Sequence, residues 1–113
     1  MCVWGPSQLP RMKGMGLSRE YFATCVVGVK MYLFGGFNTT LMNDLVLLDV
    51  EAMSWSTVAP DSVALPAPRR CHALCATDDG GRLWLFGGTD GQKTLNDLWL
   101  YDVDRRSWTV PIW

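Results

Sequence analysis

The chain says nearly the same thing twice. Lys30-Met31-Tyr32-Leu33-Phe34-Gly35-Gly36 returns as Arg82-Leu83-Trp84-Leu85-Phe86-Gly87-Gly88. In each copy a short apolar run with no helical spacing and no internal turn former ends in paired glycines, which is the pattern of a buried strand closing in a tight turn. Paired glycines at that point predict either positive φ or a backbone that passes close to another, and both conditions exclude a Cβ. A repeat of this kind limits the fold more than composition does, because each copy must be one supersecondary unit leaning on a neighbour.

The repeat extends well beyond the glycines. These recur 52 positions apart, while Arg19-Glu20-Tyr21-Phe22-Ala23 lies over Arg69-Arg70-Cys71-His72-Ala73 at a spacing of 50, with Cys25 over Cys75. Downstream, Leu41-Met42-Asn43-Asp44-Leu45 lies over Thr94-Leu95-Asn96-Asp97-Leu98, Asp49-Val50 over Asp102-Val103, and Ser54-Trp55 over Ser107-Trp108, all at a spacing of 53. The spacing changes only where turns belong, in residues 78–81 and 89–93 of the second copy. Apolar content and turn punctuation then predict four strands per copy, near 22–27, 31–35, 45–49 and 54–58, and near 72–77, 83–87, 98–102 and 107–110. Strands this short, joined by short turns, make an antiparallel meander. The second and third strands of each copy are apolar at almost every position, which predicts sheets covered on both faces.

Arg-x-x-His/Phe-Ala, aromatic-Leu-Phe-Gly-Gly, Asn-Asp-Leu, Tyr/Leu-Asp-Val and a Ser-Trp after that Asp together resemble the kelch repeat, over residues 19–58 and 69–110. The first copy departs from the pattern with Phe22 where the second has His72, and with Leu48 where it has Tyr101. The resemblance implies an all-β fold in which each repeat is a four-stranded antiparallel blade of a β-propeller. The organisation expected is the end of a preceding blade and a linker in residues 1–18, one blade with its linker in 19–68, and a second blade in 69–113. Trp4 reads as the last-strand Trp of that preceding blade, so the chain is expected to be a fragment of something longer: propellers close with about 4 to 8 blades.

Composition removes several function classes. Hydrophobic residues make up 49% and charged residues 19%, which is a folded rather than a disordered chain. A formal net charge of -1 with no Lys/Arg run carries no electrostatic footprint for nucleic acid or for an anionic membrane. Cys2, Cys25, Cys71 and Cys75 lack the density of a disulfide scaffold and read as reduced thiols, which points to the cytoplasm, with Cys71 and Cys75 acting as small buried apolar residues. Cys71-His72-x-x-Cys75 invites zinc. On a strand, however, the two thiols lie about 13 Å apart with His72 on the other face, so no metal is expected.

Asp44 and Asp97 recur at one place per repeat, which favours Asx turns over a catalytic pair, and Trp55 and Trp108 likewise read as packing residues. The glycine pairs are followed by no helix, so they are not phosphate loops. No catalytic residue and no cofactor is expected. What remains is the face formed by the loops between second and third strands and by the linkers between repeats, in residues 37–43, 89–96 and 59–68. Kelch resemblance implies that this face binds a protein or peptide partner. Its candidate residues are Arg19, Phe37, Asn38, Thr39, Arg69, Arg70, Asp90, Gln92 and Lys93, with arginine able to fork onto an acidic side chain. Two other readings stay open: a piece of an enzyme similar to galactose oxidase, whose copper site would lie in other blades, and an actin-associated scaffold. Exposed blade sheets also suggest self-association.

Overall fold

The computed structural model describes residues 20–38, 40–62 and 64–111, and the regular structure among them is entirely β. Strands β1 (Ala23–Val27), β2 (Lys30–Asn38), β3 (Thr40–Asp49) and β4 (Ser54–Val58) form one antiparallel sheet in chain order. Strands β5 (Ala73–Ala76), β6 (Arg82–Phe86), β7 (Leu98–Asp102) and β8 (Ser107–Thr109) form a second of the same topology. These are two blades of a partial propeller. The expected stub of a preceding blade, with Trp4 and Cys2, falls outside the described residues.

The repeat seen in the letters recurs in the backbone. Tyr21 and Cys71 hold φ of 60° and 57° at equivalent places, as do Met53 and Arg106 at 52° and 54°. The glycine pairs match as closely, with φ of 70° and 103° at Gly35 and Gly36 and of 70° and 97° at Gly87 and Gly88. Left-handed backbone at non-glycine residues costs about 1 kcal/mol each, so its recurrence in both copies marks a turn that the blade geometry imposes.

Register explains the packing. Leu33 faces Val46 across β2 and β3, and Met31 faces Leu48; with Phe22 and Trp55 they make one buried cluster on the side of the first sheet away from the second. Tyr32, Phe34 and Leu45 point the other way and join Leu74, Leu83, Leu85, Tyr101 and Trp108 in the core between the blades. Phe34 and Tyr101 both meet the Trp108 ring, at centroid distances of 5.2 and 4.9 Å. Burying side chains of this size contributes about 1.5–3 kcal/mol each.

The first sheet is therefore covered on both faces, as its sequence predicts, but the second is not. Leu83 and Leu85 are buried against the first blade, whereas Phe86, on the opposite face with Trp84, is 51% exposed. Its counterpart Phe34 is fully buried. The expectation of two covered faces fails there because the outer face of the second sheet has no described neighbour. The same openness exposes Cys75, paired with Trp84 across β5 and β6. Cys71 is also exposed, carried off the strand by its left-handed turn. Neither is the buried thiol that the sequence suggests. Cys25, half-buried between the blades, has its thiol pushed up to about 12, chiefly by burial.

The loop expected in residues 37–43 is instead a hairpin. A register shift between Phe34 and Gly36 lets β2 and β3 resume pairing as Gly36 with Met42, Phe37 with Leu41 and Asn38 with Thr40. The second copy does not extend this way: beyond Gly88 only isolated Arg70–Thr89 and Thr89–Thr94 bridges form. There the inserted residue, Gly91 at φ 93° and the capping side chain of Asp90 close a polar turn before a ladder can form.

Glycine is required where the blades meet. A Cβ on Gly35 would stand 2.8 Å from His72 Cε1 and 2.9 Å from the Arg69 carbonyl oxygen, and one on Gly88 would stand 2.6 Å from the Arg70 carbonyl oxygen. Both conditions anticipated for the pair, positive φ and close approach, hold together. Gly28 shares the positive φ, at 61°, but a Cβ there would meet nothing within 4 Å. Gly35→Ala is accordingly expected to lower unfolding stability by roughly 2 kcal/mol or more in urea titration, against about 1 kcal/mol for Gly28→Ala. Equal costs at the two sites would show that the blade contact imposes no steric demand.

Candidate protein-interaction face

The segment leading into the second blade is stitched to the first. The Arg69 carbonyl accepts from Gly36 N at 2.9 Å, Arg69 N donates to the Met42 carbonyl at 3.1 Å, and Cys71 N donates to the Tyr21 carbonyl at 2.9 Å. His72 Nε2 lies 2.6 Å from the Phe34 carbonyl oxygen, and its ring meets Phe34 edge-on. The carbonyl can only accept, so Nε2 carries the proton and Nδ1 is the bare nitrogen, buried without a partner. Burial, reinforced by the nearby Arg69 charge, holds the His72 pKa down to about 4 although the Phe34 bond opposes the shift. His72 is thus a neutral, structural side chain, and Phe22 takes its place in the first copy.

Arg69 was expected to meet a partner, and the structure corrects this. Its side chain is fully buried, with Nη1 and Nη2 on Asp97 Oδ1 and Oδ2 at 2.6 and 2.8 Å. Nη1 also donates to the Gly87 carbonyl and Nε to the Ala67 carbonyl, so the fork is fully engaged inside the chain. Asp97 in turn accepts from Trp99 Nε1 at 2.9 Å. The Arg69 hydrogen bond, with smaller help from Trp99, holds the Asp97 carboxyl below its usual range. Asp97 is therefore a counterion across the second blade and not the Asx cap that its position after Asn suggests.

Arg70 goes the other way. Its backbone bridges to Thr89, while its guanidinium lies over the Phe37 ring at 5.5 Å and the Tyr21 ring at 5.9 Å, both from the first blade. Phe37 is half-buried and Tyr21 is 43% exposed. Beside this cluster lie the hairpin tip at Asn38 and the turn carrying Gln92 and Lys93, all exposed. Asp90 is occupied in that turn: its Oδ1 accepts from Gln92 N and Lys93 N at 2.9 Å each, which lowers its pKa. Arg19 and Thr39 lie outside the described residues.

So the structure brings Phe37 and Arg70 together, withdraws Arg69 into the fold and uses Asp90 to hold a turn. Tyr21 is the member that sequence reasoning missed. The signal was available: Glu20, Tyr21 and Phe37 align with Arg70, Cys71 and Thr89, so the two copies differ at all three positions. Among the described residues no group of three His, Cys, Asp or Glu is placed to hold a metal ion, and no helix is long and apolar enough to cross a membrane.

Comparison with known proteins settles the family. A family model described as the KLHDC2/KLHL20/DRC7 Kelch-repeats domain matches residues 7–113. The chain belongs to the kelch-repeat family. It is 39% identical over 103 residues to Rho GTPase-activating protein gacHH of Dictyostelium discoideum, covering 82% of this chain and 6% of that protein. It is 33% identical over 92 residues to Kelch domain-containing protein 2 of Bos taurus, covering 80% and 22%. With host cell factor of Drosophila melanogaster the identity is 30% over 117 residues, covering 85% and 8%. This kelch chain thus spans under a quarter of the length of each of these relatives.

The two buried groups of the kelch junction give separable expectations. Arg69→Ala leaves Asp97 without its counterion and opens a void beside Gly87, and is expected to cost about 2–3 kcal/mol in chemical denaturation, near the lower end for broken buried pairs because Asp97 is 38% exposed. An unchanged midpoint would return Arg69 to the candidate binding residues. His72 has a folded pKa of about 4 against an ordinary 6.5, so the unfolded chain binds more protons between those values. The stability linked to it is complete above about pH 6.5 and is lost as pH falls toward 4, by about 3 kcal/mol in all. A pH series of unfolding curves should show this limb, and His72→Phe should flatten it.

Proposed function

We infer that this kelch chain is a protein-interaction module without catalytic chemistry of its own, working in the cytoplasm as part of a larger propeller. The carrying observation is the cluster of Arg70, Phe37 and Tyr21 on the face that also displays Asn38, Gln92 and Lys93. Aromatic and arginine side chains on a rigid scaffold are the groups that dominate binding energy at protein interfaces. Sheets stitched together beneath them hold the loops in place, so little ordering entropy is lost on docking. The kelch family and its relatives support an interaction role. Which protein is bound, and whether it is a substrate for a larger assembly or a scaffold component, belongs to this proposal. The half-exposed Phe86 face favours a second contact, with another kelch repeat or a second copy of the chain.

A photo-crosslinking amino acid placed singly at Asn38, Gln92, Asp104 or Phe86 separates these surfaces in extract from the source cells. Adducts to other proteins are expected from Asn38 and Gln92 and not from Asp104, which lies in a turn at the opposite end of the sheet. Adducts of the chain with itself are expected from Phe86. Equal crosslinking from Asp104 and from the loop positions would sink the loop-face reading.

A further inference from the structure

The two sheets lie closest along β1 and β5 and part toward their outer strands. In that gap two cross-strand pairs meet a common space, Leu45 with Val58 in the first blade and Tyr101 with Trp108 in the second. Pro60 and Leu65 from the linker complete the walls of a cavity of about 220 Å³. The linker is held from both sides: Asn43 Nδ2 donates to the Pro66 carbonyl at 3.1 Å, and Trp108 N donates to Ser62 Oγ at 3.2 Å. Its walls are thus anchored to both blades before any ligand arrives. Tyr101 and Trp108 are 1% and 4% exposed, and buried tyrosine hydroxyls and indole N–H groups ordinarily find a hydrogen-bond partner. Among the described residues neither the Tyr101 hydroxyl nor Trp108 Nε1 has one, yet neither is sealed from solvent as His72 Nδ1 is. Each therefore borders open space, and the cavity is the space the two residues share.

We propose that this cavity between the outer strands of the two blades binds a small neutral molecule made of one aromatic ring and a hydrogen-bond-accepting oxygen. Size decides between occupants. An apolar cavity of about 150 Å³ takes benzene, whereas drug-sized ligands need about 300 Å³ or more, so the space here suits one ring with a small substituent. Chemistry decides the substituent. An indole N–H can only donate, and the Tyr101 hydroxyl stays protonated, its pKa pushed up to about 12 chiefly by burial. Both offer a hydrogen, and the ligand brings the oxygen. No Lys, Arg or His lines the cavity while Asp44 does, so a ligand anion would be desolvated without a counterion. The Tyr101 and Trp108 rings, 4.9 Å apart, give the ligand ring aromatic neighbours. A molecule seated here touches both blades and the linker, so its binding favours the closed junction.

The test uses the 113-residue chain labelled with ¹⁵N, following the Trp108 Nε1–Hε1 resonance. Three probes of similar size separate the terms: acetophenone has ring and acceptor, ethylbenzene has the ring alone, and benzoate carries a charge. Acetophenone is expected to give a saturable downfield shift of the indole proton, at a Kd on the order of 1 mM. Ethylbenzene should bind roughly threefold or more weakly, for want of the hydrogen bond, and benzoate should not bind. At ten times its Kd, acetophenone should raise the thermal midpoint by about 5 °C. Val58→Phe fills the cavity from β4 and should abolish binding. Leu65→Trp fills it from the linker, where the side chain is 42% exposed, and serves the same purpose if Val58→Phe does not fold. No saturable shift would mean that the cavity holds water alone, and would overturn the site. Equal affinity for ethylbenzene, binding of benzoate, or undiminished binding by a folded filled variant would overturn it as well.

Discussion

Much of this structure depends on a backbone passing where no side chain can be. At Gly35-Gly36 the lead-in to the second blade crosses the end of β2 so closely that the Arg69 carbonyl bonds Gly36 N and the His72 ring reaches the Phe34 carbonyl. That approach fixes the spacing between the sheets, and the spacing sets which faces are buried. Phe34 and Trp108 can meet at 5.2 Å only because the backbones above them are already drawn together. The polar stitches and the apolar core span the same junction, and loss of the stitches would leave backbone groups buried and unsatisfied beside that core.

The same junction decides what the surface can offer. Ahead of the left-handed turn at Cys71 the backbone is extended enough for Arg70 to bridge to Thr89, and successive side chains of an extended segment point to opposite sides. Arg69 goes inward to Asp97, and Arg70 stays at the rim against rings supplied by the other blade. Neither outcome follows from the chemistry of arginine alone. A buried guanidinium needs a full set of acceptors, which only the facing strands provide, whereas a rim guanidinium needs only something to lie against.

The two blades are alike in backbone and unlike in burial. Phe34 and Phe86 share a position in the repeat, yet one is wholly enclosed and the other half open. A position of this kind carries its hydrophobicity because the architecture stacks repeats, and its burial depends on whether a neighbour is present. The polar turn in residues 89–93 shows the converse: a one-residue insertion converts what is hairpin in the first copy into a turn capped by Asp90.

Much of the fold was legible in the letters. Duplicated apolar runs gave the strands, the glycine pairs gave the close approach, and Trp55 and Trp108 read correctly as packing residues. Strand ends moved by a few residues, because ladder pairing past the bulge depends on what stands opposite, as Leu41 and Met42 do for Phe37 and Gly36. Of the residues that the sequence offers for the candidate face, Phe37 and Arg70 meet in the structure and Arg69 is buried in the fold, while Tyr21, which joins the first two, is not among those offered. By itself the sequence determined the periodicity, the strand order and where the apolar strands lie, since these follow from local pattern and turn chemistry. Only the tertiary structure decided which of two adjacent arginines is consumed by the fold and which is displayed. That choice depends on acceptors and rings brought together from 18 to 49 residues away, Gly87 and Asp97 for Arg69 and Phe37 and Tyr21 for Arg70.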